Sequence, residues 1–265
     1  MKQWIQMAAA SSALLGLPAL AALPAVQARG AAVLLPVMQQ TAEHYMQHTP
    51  GATVTVVRGN NVFAMKSLLQ GSADIAMVQG NIPGDIRQEI QTRQLKLRQV
   101  VIDYQRMTPV VHPDNPLHSI RLDHLQAVFA GSIDNWQMLG GRAGPIVLLV
   151  ESPAQGLGQA WKEAMVGESG RLARHARMVS TEEKHALLAE NINSISFMLH
   201  DQLSPAVKAL QITQIGARHS ASPPAHDPLR MPLSVWINAQ ASPTVQDVVQ
   251  RLGRKPAPPQ PGVRP

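Results

Sequence analysis

From Pro36 to Leu252 the chain alternates between runs of β-branched and aliphatic residues and runs of helical period, and it does so in two successive sets. Strands that take turns with helices bury themselves as a sheet with helices on its faces, so two α/β lobes are expected, not an all-helix or all-strand body. In the first set Pro36 opens a helix carrying Val37, Thr41, Tyr45 and His48, which Thr49-Pro50-Gly51 stops. Thr53 to Val57 reads as a strand, residues 62–70 as a helix closed by Gly71, and Ala73 to Val78 as a strand. Residues 98–111 read as two extended segments separated by polar residues, before a turn at His112-Pro-Asp-Asn-Pro116. In the second set Leu122, Leu125, Val128 and Phe129 mark a helix ending at Gly131, and Ile146 to Val150 a strand. Helices follow at 157–166 and 181–190, the latter capped by Ser180 or Thr181 with Glu182 and Glu183 set against its dipole. Ser194 to Met198, Val207 to Ile212 and Met231 to Ile237 read as strands, and Ser242-Pro243 starts a last helix through Leu252.

The N-terminus carries an export pattern: Lys2, an apolar stretch over residues 7–23, and small residues at Val26-Gln27-Ala28 that suit a signal peptidase. Gly16, Pro18 and Pro24 interrupt the run, where a spanning helix wants ~20 continuous apolar residues. A cleavable signal peptide over residues 1–28 and a periplasmic destination are expected, with no stable membrane insertion afterwards. Residues 253–265 are too rich in proline to pack and read as a tail.

Composition narrows the function. Aromatic residues make up 3% of the chain, too few for base-stacking platforms, so the core is expected to consist of Ala, Val, Leu, Ile and the 12 Met. The net charge of +6 is spread along the chain; Arg171, Arg174 and Arg177 form the nearest approach to a cluster, at a spacing that would place them on one solvated helix face. Nucleic acid is therefore not an expected partner. With no cysteine there is no disulfide, thiolate metal site or Cys nucleophile. His44 and His48 stand four apart on a helix without an evident third ligand, so no metal site is expected. A nucleophile elbow and a phosphate loop are both missing, and Gly156-Leu-Gly158 leads to Trp161 where a dinucleotide fingerprint needs a small residue. No catalytic residue, cofactor or enzymatic activity is expected.

Several segments, taken in order over roughly residues 30–240, resemble the phosphate-binding component of bacterial phosphate ABC transporters, a type 2 periplasmic binding protein family. They are Lys66-Ser-Leu-Leu-Gln-Gly-Ser-Ala-Asp-Ile-Ala-Met77, Val110-Val-His-Pro-Asp-Asn-Pro116, Leu125-Gln-Ala-Val-Phe-Ala-Gly131 with Asn135-Trp136 and Gly144-Pro-Ile146, Ser194-Ile-Ser196, and Asp227-Pro-Leu-Arg-Met-Pro-Leu233. The resemblance implies two lobes joined by crossing strands at a hinge, with a solute held in the interlobe cleft by helix N-termini and hydroxyls and passed to an ABC permease. It divides the chain into a first lobe at 29–105, a second at 106–224 and a return to the first at 225–252.

The chain departs from that family where the ligand would sit. Gly30-Ala31-Ala32-Val33 stands in place of a hydroxyl-rich loop, Asn61 in place of a serine, and Gln79 in place of an aspartate that would accept the proton of hydrogen phosphate. Glu151 and Gln155-Gly156-Leu157 stand where an arginine and a Ser-Gly-Thr loop would clamp the oxyanion. Loss of the charge-assisted bidentate pair, plus repulsion from Glu151, argues against tight phosphate binding. Asn60, Asn61, Gln79, Glu151, Gln155 and Gly156 are the expected ligand-binding residues, suited to a small polar solute, neutral or cationic. The expected function is that of a noncatalytic solute-binding protein; the alternative is a protein-interaction or assembly module on the same two-lobe scaffold.

Overall fold

A computed structural model of the protein describes residues 25–153, 156–213 and 227–252. Residues 1–24 of the expected signal peptide, the candidate Gln155 and the proline-rich tail lie outside them. The chain begins with β1 (Ala25–Ala31), a 3-10 turn, α1 (Leu35–His48), β2 (Thr53–Gly59), α2 (Asn61–Leu69), β3 (Ile75–Gln79) and α3 (Gly84–Thr92). β4 (Leu97–Val111) leads into β5 (Ser119–Arg121), α4 (Leu122–Ala130), β6 (Val147–Val150), α5 (Gly156–Val166), β7 (Arg177–Met178), α6 (Thr181–Glu190), β8 (Ser194–Leu199), β9 (Lys208–Ala209) and β10 (Gln211–Thr213). β11 (Arg230–Asn238) and α7 (Pro243–Leu252) complete the described chain.

The strands run in the order β2-β1-β3-β11-β4-β8-β6-β7, with β9 also on β4 and a separate β5–β10 pair. β4 makes this a two-lobed protein. Its Leu97–Arg106 stretch pairs antiparallel with β11, and its Met107–Val111 stretch pairs antiparallel with β8. In the first lobe β1 runs parallel to both β2 and β3, and in the second β6 runs parallel to β8. The carboxyl ends of the parallel strands in each lobe therefore lie at a common edge, where solutes bind in open α/β sheets.

Each lobe has its own core. In the first, Val26 and Ala28 of β1, Ile75 and Met77 of β3, and Val235 and Ile237 of β11 pack against Met38 and Tyr45 of α1 and Val248 and Val249 of α7. Gly30 lets β1 lie close to β3: a Cβ there would come within 2.1 Å of the Met77 carbonyl oxygen, and its φ of +139° disfavours any side chain. The second core is aromatic at its centre, which corrects the expectation of a purely aliphatic and thioether interior. Trp161 stacks on Phe197 at 4.5 Å between centroids, and Phe129 meets Trp161 edge-on at 5.1 Å. Phe129, Trp136, Trp161 and Phe197 all belong to this second core, where large flat side chains fill the space beneath short strands.

Other expectations change as well. Residues 98–111 form one strand, not two, because the polar residues of its first part lie on an exposed surface while pairing to β11 continues across a bulge opposite Leu233 and Ser234. Val207 to Ile212 divides into β9 and β10, which pair with different partners. Arg171, Arg174 and Arg177 do not share a helix face: residues 171–176 are outside any helix and Arg177 is in β7. β1 and α3 had no counterpart in the sequence reading. Both had a signal, in the in–out alternation of Ala25–Ala31 and the four-residue spacing of Ile86 and Ile90.

Candidate functional site

At the carboxyl edge of the first lobe, α2 starts one residue after β2 ends. Asn60 caps it, its side-chain oxygen accepting the Phe63 N–H at 2.8 Å. Asn61 is 6% exposed and turned toward β3. Its Nδ2 donates to the Gln79 carbonyl at 2.8 Å, and its Oδ1 accepts the Gln79 N–H at 3.1 Å. The amide thereby closes the open end of β3 as a neighbouring strand would, so Asn61 is engaged at both ends by backbone. Gln79 itself donates from Nε2 to Gln105 Oε1 at 2.9 Å, joining the end of β3 to the crossing strand β4. Asn60, Asn61 and Gln79 thus form one group.

Glu151 and Gly156 lie in the other lobe, just past the end of β6 and at the start of α5. Glu151 immediately follows β6, and its carboxylate is ion-paired with Lys184 of α6. Thr181 Oγ1 donates to the same carboxylate oxygen, Oε1, at 3.2 Å. The Lys184 side chain is 1% exposed and that of Glu151 17%. The ammonium also sits 4.9 Å from the centroid of the Phe197 ring. This changes the electrostatics expected of Glu151: its charge is balanced from beneath by a buried cation, so it does not present a bare anion. Thr181 is held in place by a capping box in which Ser180 and Glu183 exchange hydrogen bonds across the first turn of α6. The Ser180 N–H, donating to the Glu183 carboxylate, holds that carboxyl below the usual glutamate range. Gly156 is the first residue of α5, and Gly158 lets the turn fold back on the helix, since a Cβ there would lie 2.1 Å from the Ser152 carbonyl oxygen.

Lys184 and Gln105 were not singled out from sequence, and Thr181 was read only as an alternative to Ser180 as the cap of α6, a role that Ser180 fills. Lys184 did leave a trace: it precedes Leu188 by four residues, and both are buried on one face of α6, so a lysine occupies a core-facing position. No comparable pattern marks Thr181 or Gln105, whose roles depend on contacts across 30 and 26 residues of sequence.

Between the lobes lies a cavity of about 350 Å³. Gly80 and Asn81 wall it from the first lobe and Ala160 and Glu163 from α5, with Tyr104 and Met107 of the crossing strand alongside. Asn81 Nδ2 donates across it to Glu163 Oε2 at 2.9 Å, and Arg87 reaches Glu168 at the same distance. Nearby, the Arg230 guanidinium lies 4.1 Å from the centroid of the Tyr104 ring. Asn60, Asn61, Gln79, Glu151 and Gly156 are not among the residues lining this cavity. The His44 and His48 rings stack at 4.2 Å, and no group of three or more His, Cys, Asp or Glu able to hold a metal ion occurs among the described residues. No helix among them is long and apolar enough to cross a membrane.

The sequence pattern of the PBP superfamily domain matches residues 17–226, most of the chain. Two curated relatives align. Phosphate-binding protein PstS of Bacillus subtilis is 26% identical over 127 residues, 48% of this chain and 41% of that protein, so the match spans about two fifths of its length. Protein SphX of Synechococcus elongatus is 21% identical over 237 residues, 82% of this chain and 69% of that protein. Among solved structures, an ABC-type phosphate transport receptor from Vibrio cholerae superposes with a TM-score of 0.69 at 20% identity, covering 88% of this chain and 94% of that one. On the extent of the sequence match and the two lobes joined by β4, the chain belongs to the PBP superfamily.

Proposed function

We propose that the protein is a noncatalytic, exported solute-binding receptor of the ABC-transport type, and that its solute is not inorganic phosphate held with scavenging affinity. The two-lobe fold and the phosphate-binding and transport-receptor names of its relatives support the first part. One observation carries the second: the position where the resemblance puts an arginine holds Glu151, and the nearest cation, Lys184, is already paired with it. The solute would sit at the carboxyl ends of the parallel strands, near Asn60, Gln79, Glu151 and Gly156, opposite helix starts that offer backbone N–H groups. Backbone donors beside the Asn60 and Gln79 amides, with Glu151 and Lys184 neutralising each other, suit a neutral polar molecule.

Titration calorimetry of the exported form with phosphate, beside a thermal-shift screen of polar metabolites, amines and oxyanions, tests this reading. Little heat with phosphate and a raised melting temperature with an uncharged polar solute are the expected results. Micromolar phosphate affinity would overturn it. The reading as a protein-interaction module draws on one feature: Val57, Phe63 and Val33 are exposed about the ends of β1 and β2, with Arg29 against the Phe63 ring. A screen without any shift, together with association lost on Phe63→Ser, would favour that alternative.

A further inference from the structure

We propose that the Glu151 carboxylate fills, from within the chain, the seat of an oxyanion, and that Lys184 and Thr181 form an anion receptor which this carboxylate keeps occupied. The inference rests on the reading that the turn between β6 and α5 belongs to the solute cleft. Lys184 is a charged group with almost no access to water, and Glu151 is the ion-pair partner it has among the described residues. Phe197 covers the ammonium on one side without supplying a negative charge. The ammonium and the Thr181 hydroxyl converge on one carboxylate oxygen, and a cation with a hydroxyl is the donor set that holds one oxygen of a phosphate, sulfate or carboxylate. Glu151 is the more exposed member of the pair, so a solute arriving at the carboxyl edge of β6 meets the carboxylate first.

Exclusion of oxyanions then works by occupation. The pair is close to neutral as a whole, yet the one buried cation at this turn has its anion supplied. The same geometry makes Lys184 a latent anchor. Once the Glu151 carboxylate is removed, a small external anion restores the buried ion pair and gains the Thr181 donor with it. The capping box of Ser180 and Glu183 keeps Thr181 in position, because neither residue depends on Glu151 for its hydrogen bonds.

The test uses the full exported chain as wild type, Glu151→Ala, Glu151→Gln and the double variant Glu151→Ala with Lys184→Met. Each is titrated with formate, phosphate and sulfate at matched ionic strength, reading melting temperature and calorimetric binding. Wild type is expected to show no anion-specific shift. Glu151→Ala should melt lower, regain several degrees with formate or phosphate, and bind phosphate at least about tenfold more tightly than wild type. The double variant should ignore all three anions. A folded Glu151→Ala protein indifferent to anions overturns the proposal, as does an anion response that survives Lys184→Met. Should Glu151→Ala fail to fold, Glu151→Gln keeps the volume and loses the charge; an anion-dependent melting temperature supports the proposal and indifference overturns it. Tight phosphate binding by wild type defeats the functional reading separately, and the comparison of Glu151→Ala with the double variant still decides this one.

Discussion

The side-chain amide of Asn61 satisfies both backbone polar groups of Gln79, donating to its carbonyl at 2.8 Å and accepting its N–H at 3.1 Å. The first turn of α2 is thereby fastened to the end of β3, which also sends the Gln79 side chain to Gln105 on the crossing strand. A residue that the sequence offers as a ligand contact is a structural clamp at the carboxyl edge of the first lobe's sheet.

Asn61→Ala should accordingly lower stability by about 2 kcal/mol, since two part-buried hydrogen bonds go and the Gln79 backbone groups they satisfied lose those partners. Urea denaturation measures this with no solute present. A loss below about 0.5 kcal/mol would mean that water replaces the amide, and Asn61 would then be free to serve a ligand.

Removal of either member of the Glu151–Lys184 pair should be unequal in effect. Glu151→Gln leaves a nearly buried ammonium without its counter-charge and should cost about 3 kcal/mol, whereas Lys184→Met leaves a carboxylate that is partly solvated and should cost about 1–2 kcal/mol. Replacing both by Glu151→Gln with Lys184→Met should recover most of the loss. Chemical denaturation of the three variants gives the coupling directly, and additive losses would show that the pair is not energetically joined.

Export processing is expected ahead of Ala25. A cut after Ala28 would divide β1 and remove Val26 and Ala28, which are buried between α1 and α7 and pair with β2. Ala19-Leu-Ala21 offers small residues at the spacing a signal peptidase reads and leaves the strand whole. Mass spectrometry of the protein recovered from a periplasmic extract should find a mature start before Ala25, and a version starting at Arg29 should lose its cooperative melt. A stable protein starting at Arg29 would refute this.

Acid should weaken α6 through its capping box. The Glu183 carboxyl is lowered by the Ser180 N–H, so the ionised form contributes stability above the usual glutamate range, and that contribution is lost as pH falls through this range toward the lowered value. Asp123, held at about 2 by the Arg121 side chain, acts in the same sense and retains its proton-free form further into acid. Melting curves between about pH 7 and pH 3 should show a shallower decline for Glu183→Gln than for wild type. Equal slopes would exclude the capping box as a contributor.

What the sequence determined by itself was whatever depends on near neighbours. The strand–helix alternation specified two α/β lobes, and a cap at Ser180 or Thr181 with Glu182 and Glu183 behind it marked the start of α6, because period and capping are local properties. The stop of α4 at Gly131 was legible for the same reason. Where small residues meet two demands at once, local reading sees only one: Ala25–Ala31 suits a peptidase site, and its pairing with both β2 and β3 also makes it a strand.

The chemistry of the candidate site was decided by tertiary structure. Glu151 read alone is a repelling charge; with Lys184 brought beside it from 33 residues away it becomes half of a buried ion pair. Asn61 read alone is a free amide, and beside Gln79, 18 residues on, it is a clamp. A side chain's charge and hydrogen-bonding capacity are written in its identity, but whether they remain available to a solute depends on what the fold places within about 3 Å of them.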